Sequence, residues 1–488
     1  MQRWRFHISS GLIPVPLLER SYYAGWGWMP RISNSCVSEN ELEISTDLSG
    51  SGTIHVPMPY PNLGLVVAST ESLISREKPY LLLKELARGS LGRITQRLFD
   101  WQMLGFRQPE PLLETLKKLS KRFSLCVVDD ADSSKREREQ EFLAILHELM
   151  ELYLLETKAF TEQSLIWWMR NNEKLTVRFG IGTADLPLEN LAALESYSPF
   201  LEQGFHTVLP MPAWRELEPE QGQFQWERLE QRLVNVHRLG KKIILGPLLS
   251  FDRELLPQWL LDNINEDGFF ETGITRLVNS LSERYGSLAD GWILANRFLA
   301  QTLPKISQSR LMGMIRILAQ QLRSRGIETP ILAGIEQPWG EYALHHNTEW
   351  EQTQIAETLM GSREIDGFLL DINLGAGEHF TLPHAPVIIS NKIDQWSYLG
   401  KKIYIMFSVP SSGSMLAEGE TLPQWSPETQ KFWTDILLNM MFGKRMIQGI
   451  FWQQLQDVPG ENRGLITAEG RAKAVFEPFA YYRRTILQ

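Results

Sequence analysis

From Val177 to the C-terminus, short apolar runs recur at regular intervals: RFGIG (178–182), HTVLPM (206–211), KIILGPLL (242–249), GWILAN (291–296), PILAGI (330–335), GFLLDI (367–372), KIYIMFSV (402–409) and GIFWQQ (449–454). Amphipathic stretches such as WERLEQRLVNVHRLG, TGITRLVNSLSERYG, SQSRLMGMIRILAQQLRSRG and ETQKFWTDILLNMM separate them, with apolar residues three and four positions apart. A strand that reaches the next through a helix returns in the same direction, so the runs must pair in parallel. Eight such units over roughly 310 residues predict a (β/α)8 barrel. Gly240, Gly326 and Gly400 stand between helical stretches and the strands that follow, as expected of helix C-caps. The competing arrangement is an open, doubly wound sheet. It is disfavoured because no GxGxxG follows the first strand and the count is eight.

The segment before Val177 has a different pattern. In residues 1–75, ELEISTDL and GTIHVPM alternate apolar and polar positions between turn clusters SNS, SGSG and PYPN. In residues 76–175, PYLLLKELARGSLGRITQRLFDWQMLG, EPLLETLKKLSKRF and FLAILHELMELYLLETKAFTEQSLIWWMR have helical periodicity. The polar stretch DDADSSKREREQE between the last two reads as an exposed connection or the start of the third helix. The expected fold class is α/β: a C-terminal (β/α)8 TIM barrel over 176–488, preceded by an N-terminal α+β region. Residues 1–75 are expected to form a small β-sandwich and 76–175 a helical region that braces the barrel.

Composition narrows the function. With 49 basic and 58 acidic side chains, the formal charge of −9 argues against a nucleic-acid partner. Cys36 and Cys126 are too few for a disulfide framework or a zinc cluster. The start MQRWRFHISSGLIPVPLL is broken by Pro14 and Pro16 and lacks a cleavage site, and no window approaches a membrane span. The expectation is a soluble cytoplasmic protein with no membrane partner and no cofactor.

In a TIM barrel, chemistry sits on the loops at the C-terminal ends of the strands. The residues there are Trp214 and Glu216, Phe251 and Asp252, Asn296 and Arg297, then Glu336, Gln337, Trp339 and Glu341, Asp371 and Asn373, Ser408, and finally Trp452 and Gln454. Glu336 and Asp371 end neighbouring strands, with Glu341 in the loop after Glu336, so they are the candidates for general acid and base work. Loop capping, or pairing with Arg297, is the structural alternative. His345, His346, His379 and His384, with Asp371 or Glu378, are the residues that could hold a divalent metal. They lack helix-face spacing, and no metal is expected. Ser408, Ser411 and Ser412 lack a GxSxG elbow, and GAG at 375–377 lacks the pattern of a phosphate cradle. The chain has 16 tryptophans, and Trp214, Trp292, Trp339, Trp425 and Trp452 fall near strand ends, where indoles would floor a sugar cleft.

Several of these segments resemble family-10 glycoside hydrolases, the xylanase-type retaining barrels. AWRELEPEQGQFQW resembles their second βα unit, LLPQWL the segment after the third strand, GWILANR the fourth-strand WxxxNE motif, and FWQQLQD with GLITAEGRAKAVFEPF the eighth strand and closing helix. The resemblance covers most of residues 176–488 and implies a saccharide substrate. It also shows departures. Arg297 stands where the family has its acid/base glutamate and Phe407 where it has its nucleophile. Pro247 and Asp252 replace two histidines, and Ala213 replaces a substrate-contacting lysine. Arginine does not donate a proton near neutral pH, and phenylalanine does not attack a sugar. The expected function is that of a glycoside hydrolase-like protein acting on or binding an oligo- or polysaccharide at the C-terminal face of the barrel without the standard pair. Glu336, Asp371 and Glu341 are the catalytic candidates. Trp214, Trp292, Asn296, Gln337, Trp339, Trp425 and Trp452 are the substrate-binding candidates. The alternatives are a non-catalytic carbohydrate-binding barrel and a scaffold barrel with no sugar site.

Overall fold

The computed structural model describes residues 2–25, 30–128, 134–171, 176–184, 186–296, 306–336, 352–375, 381–415 and 423–487. The N-terminal residues form two four-stranded sheets. The first has the order β4-β5-β1-β8, from Asn34–Ser38, Glu41–Thr46, Gln2–His7 and Tyr80–Leu81. The second has the order β3-β2-β6-β7, from Pro30–Arg31, Tyr22–Ala24, Thr53–Tyr60 and Gly64–Ser69. Trp4 of β1 stacks on Tyr23 of β2 with centroids 4.8 Å apart. This contact joins the apolar faces of the two sheets.

Three helices follow: α1 (Leu82–Met103), α2 (Glu110–Val128) and α3 (Lys135–Arg170). Residues 135–141 of the charged stretch before Phe142 are the first turns of α3, and residues 129–133 lie outside the described residues. Ser134 accepts from the Glu137 backbone N–H while the Glu137 carboxylate accepts from that of Ser134, a reciprocal cap that starts the helix there.

Eight parallel strands then close a barrel in the order β9-β10-β11-β13-β15-β16-β17-β18. They are Arg178–Gly182, Thr207–Leu209, Lys242–Leu245, Gly291–Ile293, Ile331–Glu336, Gly367–Asn373, Lys402–Ser408 and Ile447–Trp452. Each lies within or beside one of the apolar runs of the sequence. Two short strands, β12 (Leu249–Ser250) and β14 (Ala295–Asn296), extend the third and fourth runs as a separate parallel pair at the mouth. Gly240, Gly326 and Gly400 have φ of +66°, +77° and +72°, the left-handed caps expected of glycine before a strand. No helix among the described residues is long and apolar enough to cross a membrane.

The N-terminal elements are fastened to the barrel at two levels. At the C-terminal face, the β6–β7 hairpin meets the loops after β16 and β17. Val67 N–H donates to Pro383 O at 2.7 Å, and Leu65 N–H points to Met415 Sδ at 2.9 Å. Trp433 of α5 (Pro427–Phe442) donates its indole N–H to Leu63 O at 3.1 Å. His384 lies buried here, its ring 5.8 Å from that of His55 on β6, so it is an interface residue rather than part of an open loop. On the barrel's flank, Arg97 of α1 bridges Asp394 (2.9 Å) and Ser390 (2.7 Å) of α4 (Pro386–Ser397), and Lys444 after α5 reaches Asp394 at 2.6 Å. Glu156 of α3 lies 3.6 Å from Arg97. Burial pushes the Glu156 carboxyl up to about 7, against the pull of Arg97 and Lys444, and the Lys444 ammonium down to about 8, against the pull of Asp394.

Candidate active site

Successive residues of a barrel strand alternate between lumen and helix layer. Leu209, Ile244, Ile293, Leu332, Leu369, Tyr404 and Phe451 form one apolar cluster inside the barrel, with Met406 against it. Counting in twos toward the C-terminal ends, the lumen face continues to Glu336 on β15, Asp371 and Asn373 on β16, and Ser408 on β17. Glu336 is paired in register with Asp371, and Asp371 with Met406. Asn373 and Ser408 are register partners one level higher. Neighbouring strands lie about 4.8 Å apart, so Glu336 and Asp371 share one face of the mouth at that spacing. The facing of Glu336, undecidable from its neighbours Ile335 and Gln337, is inward. Its side chain is buried, while that of Asp371 is partly exposed.

A hydrogen-bonded series runs into Asp371. Arg463, from the loop after β18, donates through one terminal nitrogen to Leu374 O at 2.6 Å and to Ser408 Oγ at 2.9 Å. Ser408 Oγ lies 2.7 Å from both Asn373 Oδ1 and Gln453 Oε1. Asn373 Nδ2 donates to Asp371 Oδ1 at 2.6 Å. Burial pushes the Arg463 guanidinium down to about 10, against the opposing pull of Glu461 and Asp371. Asn373 and Ser408 were legible as strand ends. Arg463 and Gln453 leave no such signal: Gln453 follows the last strand without a motif, and Arg463 lies in an unpatterned loop.

The fourth-strand Asn296 sits on β14 beside Ser250, and its Oδ1 is enclosed without a hydrogen-bond partner among the described residues. It flanks β15: a Cβ on Gly334, two residues before Glu336, would stand 3.2 Å from that of Asn296.

The EPxxGxF segment has a local role. Glu218 is fully buried and accepts from the Trp214 indole at 2.8 Å, the Gly222 N–H at 2.8 Å and Arg276 at 2.5 Å. Its carbonyl takes the Trp259 indole N–H at 3.0 Å, so the second-strand segment and LLPQWL are tied to each other. Trp214, Trp292, Trp425 and Trp452 are all buried. Trp452 faces the helix layer, donating to Arg463 O at 3.0 Å and stacking edge-on against Phe407 at 4.9 Å. Phe407 also packs on Phe479 of α6 (Phe476–Thr485) at 6.2 Å and points away from the lumen. The inward positions of β17 are Tyr404, Met406 and Ser408. Arg297, Gln337, Trp339, Glu341, His345, His346, Glu378 and His379 lie outside the described residues. Among the described residues, no three His, Cys, Asp or Glu side chains group as a metal site.

Native xylanase 10B from Thermotoga maritima superposes with a TM-score of 0.50 at 12% identity, over 64% of this chain and 97% of that one. The barrel has the fold of a xylanase. Xylanase 10B from Thermotoga petrophila RKU-1, solved in complex with xylobiose, matches with a TM-score of 0.48 at 13% identity, over 63% of this chain and 95% of its own. The endo-1,4-beta-xylanase from Caldicellulosiruptor owensensis matches with 0.46 at 12%, over 62% and 96%. No family model matches the sequence, and no curated protein matches it. The likeness to these xylanases is one of fold, over 62–64% of this chain.

Proposed function

We propose that this chain is a glycoside hydrolase-like protein that binds an oligo- or polysaccharide at the C-terminal mouth of its barrel and hydrolyses it with Glu336 and Asp371 as the carboxyl pair. The observation that carries the reading is the register of β15 and β16, which sets the two carboxyls side by side on the lumen face. Glycosidic hydrolysis needs two carboxyls, one to protonate the leaving oxygen and one to act from the ionised state. The enclosed Asn296 Oδ1 adds an acceptor that a sugar hydroxyl would satisfy. Glu341, Gln337 and Trp339 are proposed as further contacts from the loop after β15. Trp292 and Trp452, buried on the outward parity of their strands, support the barrel wall behind the mouth, and the buried Trp214 and Trp425 are proposed to line its approach.

A binding-only barrel is the second reading, supported by Arg297 and Phe407 at the positions where the resembled family carries its glutamates. Calorimetric titration with α- and β-linked oligosaccharides, with chromatography of the same mixtures, separates the readings. Saturable binding with shortened products supports hydrolysis, and binding without products supports the second reading. No binding to any glycan overturns both.

A further inference from the structure

The carboxyl pair is symmetric in register, and a hydrogen-bonded series ends on one of its members, Asp371. We propose that the series Arg463–Ser408–Asn373 is a directional hydrogen-bond relay that holds Asp371 as the ionised member of the pair and leaves Glu336 as the proton donor. The inference rests on the glycosidase reading above for its chemistry, but its physical content concerns Asp371 alone.

The direction follows from what each group can give. A guanidinium has donors only, so Ser408 Oγ accepts from Arg463. The hydroxyl has one hydrogen, which goes to Asn373 Oδ1 or to Gln453 Oε1, both at 2.7 Å. With Asn373 Oδ1 facing Ser408, its Nδ2 faces Asp371 and donates to it at 2.6 Å. The last acceptor is a carboxylate oxygen, and a short N–H···O⁻ bond favours the charged form. The reversed series needs a protonated Asp371 donating to Asn373. It would discard the attraction between a carboxylate and the buried Arg463. Arg463 from the loop after β18 is attracted to Asp371 and to Glu461, and Glu336 is the register partner of Asp371 on β15. Two carboxyls at this spacing do not both ionise readily, so a carboxylate fixed at Asp371 keeps the proton on Glu336.

At a spacing of about 5 Å the ionised Asp371 bonds to the anomeric carbon as the glycosidic C–O bond breaks, with its electron pair and the Glu336 proton going to the leaving oxygen. Glu336 then takes a proton from a water molecule whose oxygen displaces Asp371 from that carbon. Arg463, Ser408 and Asn373 are positioning residues that act through Asp371.

The test is a carbon-13 NMR titration of the whole chain labelled at aspartate Cγ, with Asp371→Asn identifying the resonance. The expected result is an Asp371 that titrates below the ordinary aspartate value of about 3.9. In Ser408→Ala the ionisation constant should fall about tenfold, one pH unit. Arg463→Met should act in the same direction, and Ser408→Ala carries the test if that variant fails to fold. An Asp371 that holds its proton above pH 5, or a titration unchanged in Ser408→Ala, would overturn the relay. The titration is read without substrate, so a protein that hydrolyses no glycan contradicts the glycosidase reading without bearing on this result. Where turnover is found, the acidic limb of its pH profile should move up in Ser408→Ala by the same amount as the NMR titration.

Discussion

Glu336 and Asp371 are register partners at the C-terminal ends of β15 and β16, both facing the lumen, one level above the Gly334–Leu369 pair. Two strands that part company below the mouth would bring only one of these carboxyls to it. Here the parallel ladder runs unbroken from Leu332↔Gly367 to Glu336↔Asp371, so the pair is set by backbone pairing rather than by loop conformation.

Asn296 should contribute to ligand binding more than to stability. Its Oδ1 has no hydrogen-bond partner among the described residues, so Asn296→Ala removes little that holds the fold. One lost hydrogen bond to a sugar hydroxyl is about 1 kcal/mol, which weakens binding roughly fivefold to tenfold. Calorimetry with the best glycan, beside a thermal melt, should show a raised Kd and a nearly unchanged Tm. A large fall in Tm with unchanged Kd would count against this placement.

Asp394 should be the most costly single residue of the N-terminal brace. It answers both Arg97 and Lys444, two cations largely removed from water. Among the described residues Asp394→Ala leaves both with one carboxylate, Glu156, between them, and breaking a buried ion pair costs about 3–5 kcal/mol. Urea denaturation should show a loss of that order. A loss below about 1 kcal/mol would mean that the cluster is dispensable.

The same cluster sets opposite pH windows. The folded Glu156 titrates near 7 against an ordinary 4.5, so the unfolded chain releases this proton first. Stability from this group therefore falls as pH rises from 4.5 to about 7. The folded Lys444 titrates near 8 against 10.5, so the unfolded chain keeps its proton longer, and this group's contribution rises between those values. Denaturant midpoints measured across pH should show Glu156→Gln flattening the lower window and Lys444→Met flattening the upper. A parallel curve for either variant would refute its assignment.

Trp433 should hold the β6–β7 hairpin to the barrel. Trp433→Phe keeps a ring but leaves Leu63 O without this donor, at a cost of about 2 kcal/mol. Hydrogen exchange should quicken at Leu65 and Val67, whose amides face Met415 and Pro383. Unchanged exchange there would show that the hairpin stands without the tether.

The barrel was legible because its strands are apolar on both faces and its helices on one, so strand-helix alternation survives in a single sequence. β15 begins one residue into PILAGI and ends at Glu336, one past it, and β9 coincides with RFGIG. The extent of α3 was less so: KREREQE reads equally as a connection or a helix start, and the Ser134–Glu137 cap decides for the helix. The site was half legible. Glu336, Asp371 and Asn296 could be named from strand ends, but facing could not, because a residue flanked by Ile335 and Gln337 gives no alternation to read. The tryptophans show the opposite limit. Spacing located them near strand ends, yet Trp292 and Trp452 fall on the outward parity of their strands and are buried behind the lumen. Arg463 reaches the site from a loop, and loop geometry leaves no periodic trace.

The most direct measurement is product release from a panel of α- and β-linked glycans by the unaltered chain, Glu336→Gln and Asp371→Asn, each checked for folding by circular dichroism. The account predicts that the unaltered chain shortens at least one glycan and that each substitution slows it by about 10²-fold or more, the scale of a lost general acid or base. Turnover that survives unchanged in both folded variants, or an unaltered chain that shortens no glycan, would contradict it.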